Sequence, residues 1–132
     1  MTKEEATKIM AVLTAAYPHA YKNISVDEAD GIVTVWAIQF AKVPADIVFM
    51  AVNKCISSCK FPPSISEVKD KVSDLHWEAY TAISSKRADV LTEGAYAEYK
   101  RIYDATVSYK YNSGEPELCE MLINNSKQFL ID

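Results

Sequence analysis

An all-α fold is what this sequence predicts, and three observations carry the prediction. Glycine is scarce at three residues and proline nearly so at five, which starves a chain of the turns that a β fold needs. Apolar residues recur every three or four positions over long stretches, the period of a helix with one buried face. Helix-start signals stand immediately before those stretches, three of them as Ser/Thr-x-x-Glu capping boxes. At 132 residues, 49% apolar and 24% charged, the chain has the composition of a protein that buries a core.

The first box, Thr2-Lys3-Glu4-Glu5, opens a helix whose stripe is Ala6, Ile9, Met10, Leu13 and Tyr17, and Pro18 ends it. Ser25-Val26-Asp27-Glu28 opens the second, with Ala29, Ile32, Val33, Trp36 and Phe40 on one face. Because Val35 and Ile38 are apolar too, this helix is expected to be buried on more than one side and to lie at the centre of the core. Pro44 suits the first turn of a third helix, continued by Val48, Val52, Cys55, Ile56 and Cys59. Pro62-Pro63 then forces an extended stretch, with Phe61 expected to fold back onto the bundle. Ser64-Ile65-Ser66-Glu67 starts a fourth helix with the regular stripe Ile65, Val68, Val72, Leu75, His76, Ala79 and Ile83. A fifth is expected from near Thr92 to about Tyr109, and a last one from Pro116 through Leu118, Met121 and Leu122. The expected organisation is a compact four-helix bundle over residues 1–84, followed at 85–132 by one or two further helices and a C-terminal tail, docked or flexible.

Composition also narrows the chemistry. Fourteen basic against eighteen acidic side chains give a net charge of −4 with the signs interspersed, so the clustered Lys and Arg that a phosphate backbone selects are missing, and direct nucleic-acid binding is disfavoured. No signal-peptide core or membrane-spanning run occurs, and an odd count of three cysteines suits a reducing compartment, so a cytoplasmic location is expected. Cys55, Cys59 and Cys119 lack metal-ligand spacing with His19 or His76, and their bland role is that of small buried hydrophobes. No nucleophile stands with a base, and no glycine loop cradles a phosphate; neither an enzyme, a metal nor a cofactor is expected. The acidic pairs Glu4-Glu5 and Asp27-Glu28 sit where helix N-termini favour negative charge.

Two features point to protein partners. Trp77, Tyr80, Tyr96, Tyr99 and Tyr103 recur at helical spacing, as rings packed on the bundle or as an interface. Residues 113–132 carry four acidic side chains and a single lysine among apolar residues, the pattern of a segment that orders on a basic, grooved partner or docks as a final helix. The candidate contacts there are Glu115, Glu117, Leu118, Met121, Leu122, Phe129, Leu130 and Ile131.

The stretch Lys60-Phe61-Pro62-Pro63-Ser64-Ile65-Ser66-Glu67, with the Met-Thr-Lys-Glu-Glu opening, Tyr17-Pro18 and Val35-Trp36, resembles the small bacteriophage replicative-helicase loader/inhibitor proteins of Gram-positive bacteria over residues 1–80. The resemblance implies a non-enzymatic adaptor that binds a hexameric replicative helicase in its ATP-bound form, inhibits it, and helps deliver it to an origin-bound initiator. It implies a compact helical N-terminal part and a C-terminal part that contacts the helicase. Trp36, Phe61, Pro62 and Pro63 are then the structural signature. The rival expectations are a DNA-binding replisome component, marked by steep salt dependence, and an inhibitor of a host replication protein.

Overall fold

A computed structural model describes residues 1–84 and 92–110. Among the described residues there are five α-helices and no strand: α1 Lys3–Ala16, α2 Val26–Gln39, α3 Ala45–Ser58, α4 Ile65–Ser84 and α5 Glu93–Ala105, then a single 3-10 turn, Val107–Tyr109. The chain divides into two units, Met1–Lys71 and Val72–Asp132, with the division inside α4.

In the first unit the predicted caps form. The Thr2 hydroxyl accepts from the Glu5 amide at 3.2 Å while the Glu5 carboxylate accepts from the Thr2 amide at 3.0 Å, a reciprocal pairing that settles two orphan amides. Those bonds hold the Glu5 carboxyl below its ordinary pKa. Ser25 caps α2 through the Glu28 amide, and Ser64 and Glu67 repeat the reciprocal box ahead of α4. α1 ends at Tyr17, whose hydroxyl donates to the Cys59 carbonyl at 2.8 Å and so ties the end of α1 to the end of α3. At the other end of α1, the Met1 amino group donates to the carbonyls of Phe40 and Val43 at 3.0 and 2.8 Å, beside the α2–α3 turn.

α1 packs on both α2 and α3, burying Ala6, Ile9, Met10 and Leu13. The most deeply buried helix is α3, where Ile47, Val48, Ala51, Val52 and Cys55 are all fully enclosed. This corrects the expectation that α2 lies at the centre. Apolar positions 47, 48, 51, 52 and 55 form one broad stripe, whereas Val35 and Ile38 fall on the side of α2 away from Val33, Trp36 and Phe40. Val35 is 48% and Ile38 66% exposed. Trp36 and Phe40 meet at 5.6 Å between ring centroids and seal the α2 side of the core.

The described part of the second unit is the C-terminal stretch of α4 with α5 and the 3-10 turn. Thr92 caps α5 by accepting from the Ala95 amide at 3.1 Å. The buried residues are Val72, Ser73, Leu75, His76 and Ala79 on α4, with Ile102 and Thr106 from α5 and its cap.

Candidate partner-binding surfaces

Besides Phe49 of α3, 42% exposed beside Ile9 and Val12 of α1, the first unit presents its exposed apolar side chains in three places. The first is the turn between α3 and α4, where Phe61 is 74% exposed. This corrects the expectation that Phe61 folds back: Pro63 is the buried residue of that turn, and Phe61 points away with the Lys60 ammonium 5.9 Å from its ring centroid. Two adjacent prolines favour an extended, polyproline-like path with three residues per turn. Side chains two positions apart then point in different directions, so Phe61 and Pro63 do not reach the core together. Beside this turn the Cys59 thiol lies 3.6 Å from the Glu67 carboxylate. Cys55 is enclosed, and burial pushes its thiol up to about 11, which makes it inert at neutral pH.

The second place is an open groove between α1 and α2, with Thr7, Met10, Ala11 and Thr14 on one wall and Val26, Ala29 and Val33 on the other. Small side chains on α1 make it shallow, and Val26, at the first position of α2, is exposed at its rim. The third is the outer side of α2, carrying Gly31, Val35 and Ile38. Sequence reasoning missed this face by counting Val35 and Ile38 as core. The signal that finds it is their angular position, on the opposite side of the helix from the stripe of Val33, Trp36 and Phe40.

In the second unit, four rings form a closed circuit. His76 stacks on Tyr103 at 4.8 Å, Tyr103 lies 6.1 Å from Tyr80, Tyr80 meets Trp77 edge-on at 5.6 Å, and Trp77 meets His76 edge-on at 5.2 Å. The Lys100 ammonium sits 5.5 Å from the Tyr103 centroid, and the Trp77 indole N–H donates to the Lys110 carbonyl at 3.1 Å. Residues at 76, 77 and 80 share a helix face, and Tyr103 comes from α5 to close the ring. Of the expected tyrosine stripe, Tyr103 is therefore packed into this cluster while Tyr96 is 43% exposed.

His76 is nearly fully buried. Its Nδ1 lies 3.0 Å from the Thr106 hydroxyl, whose own proton goes to the Ile102 carbonyl at 2.6 Å. The hydroxyl therefore accepts from the ring, which assigns the neutral His76 as the Nδ1–H tautomer. Burial holds its pKa below the ordinary value; the Tyr103 backbone opposes this and the Lys110 charge adds to it. Stacked on Tyr103 and bonded to Thr106, the His76 ring holds α5 against α4.

Among the described residues no group of three or more His, Cys, Asp or Glu is placed to hold a metal ion, and no helix is long and apolar enough to cross a membrane. The expected tail contacts Glu115, Glu117, Leu118, Met121, Leu122, Phe129, Leu130 and Ile131 lie outside the described residues, as do Cys119 and the helix expected from Pro116. A family model described as the N-terminal domain of the phage helicase loader/inhibitor protein gp39 matches residues 1–69. None of the curated proteins and none of the solved structures matches the chain.

Proposed function

The chain belongs to the phage helicase loader/inhibitor family defined by that N-terminal domain, and from this premise we propose that it is a non-enzymatic adaptor of phage DNA replication. In this reading it binds the hexameric replicative helicase in its ATP-bound form, holds it inactive, and passes it to an origin-bound initiator in the cytoplasm of the bacterial host. The single observation that carries the reading is the match over residues 1–69, more than half of the 132 residues, which takes in the Lys60–Glu67 stretch. The acidic balance supports a protein partner over DNA, because phosphate binding needs a concentration of basic side chains. The tail supports it too: residues 113–132 combine acidic and apolar side chains, as segments that order on a basic groove do.

The test is size-exclusion chromatography with light scattering on the full chain mixed with the cognate replicative helicase, with and without ATP. The expected result is a complex that forms with ATP and suppresses unwinding in a helicase assay. A chain that never co-elutes with the helicase, or that leaves unwinding untouched, overturns the reading. Removing residues 113–132 should abolish the complex while leaving the melting of the remaining helices in place; undiminished affinity would remove the tail from the contact.

A further inference from the structure

We infer that the outer face of α2 is a self-complementary surface on which a second copy of this chain docks antiparallel. The inference concerns self-association and stands independently of the helicase reading.

Its starting point is Gly31. Glycine is among the poorest helix formers, yet Gly31 lies inside α2, Val26–Gln39. Nothing among the described residues requires it: a Cβ placed there meets nothing within 4 Å, and its φ is not positive. An exposed mid-helix glycine without an internal reason is a notch, and a notch admits a side chain from outside. One and two turns further on lie Val35 and Ile38, 48% and 66% exposed, where solvent-facing helix positions ordinarily carry polar groups. The face is bounded on both sides. The Lys3–Asp30 ion pair, 2.8 Å, flanks it toward α1, and the Lys69–Gln39 hydrogen bond, 2.7 Å, flanks it toward the start of α4.

What occupies the face follows from its symmetry. Two α2 helices placed antiparallel about a two-fold axis beside Thr34 and Val35 bring Ile38 of each copy over Gly31 of the other. The same axis brings Asp27, in the first turn, opposite Lys42 of the other copy, in the turn just past the helix. Knob meets notch and acid meets base twice over, which is the reciprocity that a two-fold interface demands. Neither Asp27 nor Lys42 has an ion pair among the described residues. The 14 residues of α2 give a contact about 21 Å long. Such a strip buries well under the roughly 800 Å² per partner of a standard interface. The dimer is therefore weak.

Sedimentation equilibrium of the full chain at low salt, from about 10 μM to about 1 mM, should show a reversible monomer–dimer equilibrium. Ile38→Asp should raise the dissociation constant more than about tenfold, since a charge would enter the apolar contact. Gly31→Ala should raise the melting temperature of the monomer while weakening the dimer, two directions that a purely structural role of Gly31 would not combine. Asp27→Lys and Lys42→Asp should each weaken self-association about three- to tenfold. An equimolar mixture of these two variants should dimerise again, because only the heterodimer restores both charge pairs. A chain that stays monomeric to about 1 mM overturns the inference. So does an Ile38→Asp variant that dimerises unchanged, or a charge-swapped mixture that fails to pair. If Ile38→Asp disrupts helicase binding while the free chain is monomeric throughout, the face belongs to the helicase and self-docking is refuted.

Discussion

Replacing Thr106 by valine should loosen α5 from α4 by an amount that the His76 contact sets. The Thr106 hydroxyl is fully buried: it accepts from His76 Nδ1 at 3.0 Å and donates to the Ile102 carbonyl at 2.6 Å, with the Tyr103 carbonyl farther off at 3.4 Å. Valine keeps the shape and removes both, taking the hydroxyl partner away from a ring enclosed by Tyr103 and Trp77. A buried donor deprived of its partner costs about 1–3 kcal/mol, more than the net value of the bond that held it. His76→Phe/Thr106→Val should recover most of the loss, because two apolar groups of similar shape leave no orphan donor. Urea unfolding followed by tryptophan fluorescence measures the change, since Trp77 lies edge-on to His76 at 5.2 Å, and amide exchange in α5 locates it. A Thr106→Val protein as stable as the parent, or a double variant no better than the single one, would refute both the donor assignment and the latch.

The same histidine makes stability depend on pH. Its folded pKa is lowered, first by burial, so on acidification the unfolded chain takes up the proton before the folded one does. Stability should therefore be constant above about pH 6.5, the ordinary histidine value, and fall as the pH drops from there toward the folded pKa, by at most about 1.4 kcal/mol per pH unit. His76→Phe should flatten that stretch of a melting-temperature profile; an unchanged slope would show that other groups carry it. Phe40→Ala should cost about 3–5 kcal/mol, because Phe40 is fully enclosed against Trp36, whereas Phe61→Ala, at 74% exposed, should shift stability by no more than about 0.5 kcal/mol. Thermal melting of the pair checks this, and equal losses would mean that Phe61 is packed. With Cys119 replaced by serine, a thiol reagent at mildly alkaline pH should label Cys59 well before Cys55, whose thiol is enclosed and pushed up to about 11; mass spectrometry of the labelled peptides decides it.

The helix starts are legible in the sequence because a cap is local chemistry. Thr2, Ser25, Ser64 and Thr92 each accept from an amide three residues on, and nothing distant can reverse a contact that short. Pro18 and Pro62-Pro63 are legible as stops for the same reason. Which apolar residues are buried is less so. Val35 and Ile38 look like core by type, and only their angle relative to Trp36 places them outside. Phe61 looks like an anchor, yet where the chain turns once in three residues Phe61 and Pro63 point apart, and Pro63 takes the inner position. The His76–Thr106 contact is illegible: the two residues are 30 positions apart, and a threonine past the last turn of a helix carries no periodic signal.

These misses have a common cause that bears on function. Apolar periodicity measures how many faces of a helix avoid water, and it is silent about whether the covering surface belongs to the same chain. In α1 and α3 the stripes are covered from within, so periodicity and burial agree. In α2 the inner stripe, Val33, Trp36 and Phe40, is covered in this way, while Gly31, Val35 and Ile38 are left open. Single exposed apolar residues are ordinary on protein surfaces and need no account. Two on one helical face, spaced one turn apart and preceded by a glycine that the chain does not use, depart from that background. α2 thus carries more apolar surface than its internal packing explains, and the excess is what a partner would cover.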